Sequence, residues 1–239
     1  MSPRFARLLR DSRAALFTML GALAVIWAVQ VANWLDDYRL SYEYGISSGQ
    51  LGELPDILTS TLLHFGWDHI QANSWPLFAF GFLAAYRGMK RFLLATLLIV
   101  VSSGLTVWLF ERPDAVTAGA SGVVYGYFGY VVLRGVFDRN LVDTAIGVVV
   151  AAVYSYLLLG VLPSAQGVSW LGHLGGLVGG LAGAWLLRDR RSRDDRDDRG
   201  DRGDRGDRGD RTPKSTPGTA ESPASPGAAL LKELDDLGI

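Results

Sequence analysis

Ser121 stands in Gly119-Ala120-Ser121-Gly122, and the 239-residue chain holds only three histidines to serve it. A serine hydroxyl is a poor nucleophile until a base takes its proton, and histidine is the usual base near neutral pH. His173, which opens the last apolar stretch, is the candidate base. Acyl transfer also needs hydrogen-bond donors aimed at the developing oxyanion. His69 and Asn73 are four residues apart, so on a helix they point about 40° from one another and share a face. Together with the backbone N–H of Ser121 they form a candidate oxyanion site. His64 lies five residues before His69, about 140° round a regular helix, and is given a structural role.

The surroundings of the serine narrow the chemistry. Gly119 and Gly122 fit a place where substrate backbone or a neighbouring helix approaches closely. The motif is not the nucleophile elbow of soluble hydrolases, which needs glycine two residues after the serine, where Val123 stands here. Tyr125 is one turn deeper on the same face, where an aromatic ring can pack on the His173 imidazole. No carboxylate follows His69 inside its apolar run or occurs in those of Ser121 and His173. A Ser–His dyad is therefore expected rather than a triad. The absence of cysteine excludes disulfides and thiolate metal sites. A net charge of −1 makes no case for nucleic acid.

These side chains must be positioned by apolar elements. Six runs lie near the roughly 20 residues needed to cross a bilayer: Ala14–Trp34, Leu62–Tyr86, Phe92–Phe110, Ala118–Val136, Val142–Leu162 and Ser169–Leu187. The first exceeds a signal-peptide core and lacks a small-x-small cleavage site, so it reads as a retained helix. Lys and Arg set the orientation. Arg4, Arg7, Arg10 and Arg13 precede the first run; Arg87, Lys90 and Arg91 follow the second, Arg134 and Arg139 the fourth, and Arg188, Arg190, Arg191 and Arg193 the sixth. The alternate loops hold only Arg39 and Arg112. Both termini are thus expected in the cytoplasm of a multi-pass plasma-membrane protein. Runs two, four and six then enter from outside, which puts His69, Ser121 and His173 in one outer-leaflet layer. Polar groups in hydrocarbon are costly and tend to be kept for function.

Glycine spacing supplies a reason for the serine and histidine to meet. Gly172, Gly176 and Gly180 repeat every four residues, as do Gly175, Gly179 and Gly183, and Gly122, Gly126 and Gly129 give the fourth run a thin face. Small-xxx-small spacing lets membrane helices pack closely. The first outer loop, Leu35–Ile57, mixes Tyr38, Tyr42 and Tyr44 with acidic residues and is read as lying partly in the outer interface. Residues 188–227 are an Arg/Asp/Gly repeat followed by a Pro/Ser/Thr/Gly stretch, with nothing to bury, and are expected to be disordered. Ala228–Ile239 spaces Leu230, Leu231, Leu234 and Leu237 as an amphipathic helix would. It is either a docking helix for a cytoplasmic partner or a frayed one without a partner.

Taken together, the residues resemble the rhomboid family of intramembrane serine proteases. The resemblance covers roughly Leu58–Leu187. His-x4-His-x3-Asn is matched by His64, His69 and Asn73, and Gly-x-Ser-Gly with a following aromatic by Gly119, Ser121, Gly122 and Tyr125. A histidine with glycines at plus three and plus seven is matched by His173, Gly176 and Gly180. Many rhomboids carry Trp-Arg in the first outer loop, where this chain has Pro55-Asp56. The resemblance implies an all-α membrane protein, a six-transmembrane-helix rhomboid-like bundle over residues 14–187, that hydrolyses transmembrane protein substrates in the lipid bilayer. Ser121 would be the nucleophile and His173 the base, with Tyr125 stacked on it and His69, Asn73 and the Ser121 amide holding the oxyanion. No metal or cofactor is implied. The competing functions are a rhomboid-like protein that binds membrane clients without cutting them, and a small transporter, against which stands the absence of an inverted repeat. The Ala/Gly/Arg/Asp-rich composition points to a bacterial source with GC-rich codons.

Overall fold

In the computed structural model, residues 3–163 and 168–189 are described; the charged repeat from residue 190 on, the 228–239 segment and residues 164–167 lie outside them. Helix α1 (Pro3–Leu35) has 33 residues, about 50 Å at 1.5 Å per residue. The connection from α1 to the next long helix holds two short helices, α2 (Arg39–Glu43) and α3 (Asp56–Thr59), and a strand, β1 (Ile46–Ser47). Helices α4 (Trp67–Ala85) and α5 (Met89–Phe110) follow, then strand β2 (Val116–Thr117), α6 (Ser121–Phe137), α7 (Leu141–Val153) and α8 (Trp170–Leu186). The two strands pair antiparallel, Ile46 opposite Thr117. Otherwise the described residues form an all-α bundle.

Helix α6 is the axis. Twelve of its seventeen residues are buried, and α4, α5, α7 and α8 all pack on it. Its contact with α8 depends on glycine. A methyl group on Gly176 would lie 1.9 Å from the Gly122 carbonyl oxygen, and one on Gly180 would lie 1.9 Å from that of Gly126. Two backbones in van der Waals contact leave no room for any side chain there. From α5, Ser102 Oγ donates to the Gly175 carbonyl at 2.7 Å and Ser103 Oγ to the Gly172 carbonyl at 2.8 Å. Such hydroxyl bonds are a recurrent glue between helices in lipid.

Three element boundaries differ from the apolar runs, and each has a local cause. Leu62–Phe65 is not part of α4: Leu63 is extended and Gly66 is the N-cap. The fourth run begins at Ala118 but α6 begins at Ser121, because Gly119 takes φ +145°, which ends any helical continuation toward β2. The fifth run breaks after Val153 and continues at 66° as a 3₁₀ stretch, Ser155–Val161. There Ser155 Oγ donates to the Ala152 carbonyl, a local bond that competes with the helical ladder. Among the described residues, the six expected crossings reduce on length and apolar character to two helices, Leu8–Leu35 and Met89–Phe110, or three if the bent pair is one span. Helices α6 and α8 have 17 residues each and α4 has 19, because the chain ahead of their N-terminal ends is given over to loops that build the site.

Polarity runs inside out. Gln30, Asn33, His64, Asn73, Ser103, Arg134, Asp143 and His173 are buried, while Leu16, Phe17, Leu20, Leu93, Leu97, Val148, Val149 and Val153 are exposed. A contiguous apolar exterior of this kind marks a surface made for lipid or protein, not water. At the end of the bundle remote from Ser121, charges tie the helices together. Arg87 pairs with Asp143 at 2.9 Å, Tyr86 donates to the same carboxylate, and Arg91 pairs with Asp189 at 3.1 Å, while Arg134 pairs with Asp138 at 3.5 Å at the end of its own helix and donates to the Ala84 carbonyl of α4 at 3.2 Å. Asn140 caps α7 by accepting the N–H groups of Val142 and Asp143.

Candidate active site

Ser121 is the first residue of α6, and His173 is the fourth of α8. The glycine contact between those helices brings Ser121 Oγ to 2.9 Å from His173 Nε2. The other ring nitrogen, Nδ1, lies 2.9 Å from the Gly160 carbonyl oxygen. A carbonyl can only accept, so Nδ1 carries the proton and Nε2 is left with the lone pair that faces the serine. The orienting acceptor that soluble triads take from a carboxylate is here a backbone carbonyl of the 3₁₀ stretch after α7. Tyr125 lies flat on the imidazole, with ring centroids 4.1 Å apart and planes 8° from parallel. Its phenol also fills the place of a side chain at Gly160, since a methyl there would fall 1.9 Å from the Tyr125 oxygen.

His69 and Asn73 line the same cavity as Ser121 and His173, a space of about 960 Å³. Its walls are also built from the α1–α4 connection, the α5–α6 connection and the start of α8. Asn73 is buried and its Nδ2 has no hydrogen-bond partner among the described residues. A buried amide N–H left unpaired costs free energy unless a ligand or water takes it. Gly119 marks the gap between the groups. A methyl on it would sit 2.7 Å from His69 Cε1, 2.9 Å from His69 Nε2 and 3.8 Å from Ser121 Oγ. With φ at +145°, only glycine leaves this space open without strain. Gly122, on the same turn, also lines the cavity, with Ser103 packed against it.

The helix start adds donors. Gly119 N–H goes to the Ser60 carbonyl at 2.9 Å and Ala120 N–H to His64 Nε2 at 3.3 Å, while the Val124 N–H closes the first helical bond to Ala120. The N–H groups of Ser121 and its two successors are therefore the open donors of α6, where the helix dipole favours negative charge. His64 precedes α4 instead of lying on it, so the angular reading of His64 against His69 does not apply; the two rings meet edge to face at 5.0 Å. The structure thus brings Ser121, His173, Tyr125, His69, Asn73 and Gly119 to one cavity. Gly176 and Gly180 serve it through packing.

Some contributors carried no signal in the sequence. The Gly160 carbonyl is a main-chain group and has no residue type to reveal it. Ser169 accepts the Gly172 N–H as the cap of α8 and donates to Glu111 at 2.9 Å; a serine just before an apolar run is a legible cap, but its carboxylate partner lies 58 residues away.

A match to the rhomboid domain covers residues 51–190. An uncharacterized protein of Mycobacterium tuberculosis is 36% identical over 178 residues, which cover 71% of this chain and 74% of that protein. Rhomboid-like protein 11, chloroplastic, of Arabidopsis thaliana is 33% identical over 143 residues, covering 54% and 51%. Rhomboid protease GlpG of Haemophilus influenzae is 29% identical over 168 residues, covering 68% and 85%.

Proposed function

The chain belongs to the rhomboid family, and on that premise we propose that it is an intramembrane serine endopeptidase working through a Ser121–His173 dyad. The observation that carries this reading is the hydrogen bond from Ser121 to His173 Nε2, with Nδ1 held by the Gly160 carbonyl. In the reaction Ser121 Oγ attacks the scissile carbonyl carbon as His173 Nε2 takes its proton. The carbonyl oxygen becomes an oxyanion facing the Ser121 N–H, Asn73 Nδ2 and the His69 ring. Collapse breaks the C–N bond, and the imidazolium returns its proton to the leaving amine. Water from the cavity, deprotonated by the same nitrogen, then hydrolyses the ester and releases the carboxylate product with Ser121 restored. No step calls for a metal or cofactor.

The substrate class follows from the setting. The bundle is apolar outside and polar inside, so peptide reaching this cavity through lipid arrives as a transmembrane segment. We read six crossings, three of them by helices shortened to make the site, with both termini in the cytoplasm of a bacterial plasma membrane. The loop charges and the apolar exterior support that reading. Co-expression with a transmembrane reporter carrying small residues near its outer end tests the function. Cleavage should fall by at least about 10³-fold in Ser121→Ala and His173→Ala. Processing by Ser121→Ala at the unsubstituted rate would eliminate Ser121 as the nucleophile.

A further inference from the structure

Four polar groups far from the dyad in sequence form a closed hydrogen-bonded circuit behind it. Asn33, near the outer end of α1, and Ser41, in α2, are both 0% exposed, as is His64. Asn33 Nδ2 donates to Ser41 Oγ at 2.8 Å and to the His64 carbonyl at 2.9 Å. Ser41 N–H donates to Asn33 Oδ1 at 3.2 Å, and Ser41 Oγ donates to the same His64 carbonyl at 3.3 Å. Every donor and acceptor of the Asn33 amide has a partner, and the His64 carbonyl uses both lone pairs. Paired buried groups of this kind resist displacement, because moving them leaves a polar group unpaired in a low-dielectric interior; in this cluster His64 Nδ1 alone has no hydrogen-bond partner among the described residues.

We propose that Asn33 and Ser41 are positioning residues for the nucleophile, acting through His64. Two bonds converging on one carbonyl fix the plane of the peptide after His64, and with it the direction in which the imidazole leaves the backbone. That ring accepts the Ala120 N–H at Nε2, while the Ser60 carbonyl, in the same segment, accepts the Gly119 N–H. Both amides ahead of Ser121 are thereby consumed. The residue before the serine is alanine, with no side chain able to cap α6. His64 supplies that missing restraint from outside the helix, and the start of α6 keeps Ser121 N–H turned to the cavity. The circuit makes the outer end of α1 part of the machinery that sets the oxyanion geometry, although neither Asn33 nor Ser41 touches the cavity wall.

This inference rests on the serine-hydrolase reading, and the test separates the two. Labelling of the full chain in detergent by a fluorophosphonate probe reports the nucleophile and oxyanion site without a transmembrane substrate. Cleavage of the reporter gives kcat and KM, and a thermal midpoint in the same detergent reports folding. Asn33→Ala and Ser41→Ala should each slow labelling about tenfold, with kcat falling in parallel and KM unchanged within about twofold, and Ser41→Thr, which keeps the hydroxyl, should restore the rate. If Asn33→Ala does not fold, Ser41→Ala and Ser41→Thr decide alone. Labelling of folded Ser41→Ala at the unsubstituted rate overturns the positioning role and leaves the dyad standing. A loss of rate that only follows the fraction folded, or that Ser41→Thr does not reverse, overturns it too. An unsubstituted protein that takes up no probe removes the hydrolase reading, and the circuit's role falls with it.

Discussion

A single α-hydrogen at position 119 keeps open the space between His69 and Ser121, the proposed oxyanion site. The site for its missing methyl lies between the His69 ring and Ser121 Oγ, and its φ of +145° is one that side chains rarely adopt. Gly119→Ala should therefore lose about 10²-fold or more in kcat, comparable to removing an oxyanion donor, and also lower the thermal midpoint. Asn73→Ala separates the two effects. Its Nδ2 has no hydrogen-bond partner to lose among the described residues, so kcat should drop by about 10²–10³-fold while the thermal midpoint holds or rises. A thermal loss in Asn73→Ala as large as in Gly119→Ala would mean that Asn73 is interhelical glue. Most of this site was legible from residue types, because serine, histidine and a glycine with one permitted conformation each announce a requirement. The orienting partner of His173 was not, because any residue can present a carbonyl; the sequence offered the absence of an acid, and only the turn after α7 reveals that Gly160 stands in its place.

Between helices, the α6–α8 seam converts glycine spacing into catalytic distance. The four-residue ladder correctly identifies which faces meet, since Gly122 and Gly126 of α6 receive Gly176 and Gly180 of α8. The ladder does not say which glycines are indispensable, because that depends on where the partner backbone lies. Gly183 continues one of the two rows, yet a methyl on it would meet its nearest neighbours at 3.6–3.7 Å, ordinary van der Waals contact. Gly176→Ala should cost about 1–3 kcal/mol by overpacking and push Ser121 and His173 apart, lowering both the thermal midpoint and the probe-labelling rate. Gly183→Ala should leave labelling unchanged and hold or raise the midpoint, since alanine has the better helix propensity by about 1 kcal/mol. Equal effects in the two variants would show that the seam is not where the dyad distance is set. The break in the fifth apolar run was hidden for a related reason. Val142–Leu162 is uniformly apolar, and hydropathy carries no information about a 66° turn fixed by Ser155 and by the packing of the following stretch against Tyr125 and His173.

At the scale of the whole molecule, charge and cavity define opposite ends. The site opens among the loops that hold few Lys and Arg, whereas the ion pairs of Arg87, Arg91 and Arg134 lie at the other ends of the same helices. On the reading proposed above, the positive-inside rule would put the basic end in the cytoplasm. Opposed placement would bury no fewer apolar groups, so the fold alone does not choose, and the choice rests on charge. The chain has no cysteine, so single-cysteine variants report orientation without background. Gly52→Cys tests the first outer loop, where an added Cβ meets nothing within 4 Å, and Lys90→Cys tests the exposed start of α5. A membrane-impermeant maleimide applied to intact cells should modify Gly52→Cys, and should modify Lys90→Cys only after the membrane is opened. The reverse pattern would invert the topology and move the dyad from the outer to the inner leaflet. It would leave the Ser121–His173 chemistry intact but require substrates whose scissile bonds lie near the cytoplasm, so the same reporter with its small residues moved to the inner end would then become the better substrate.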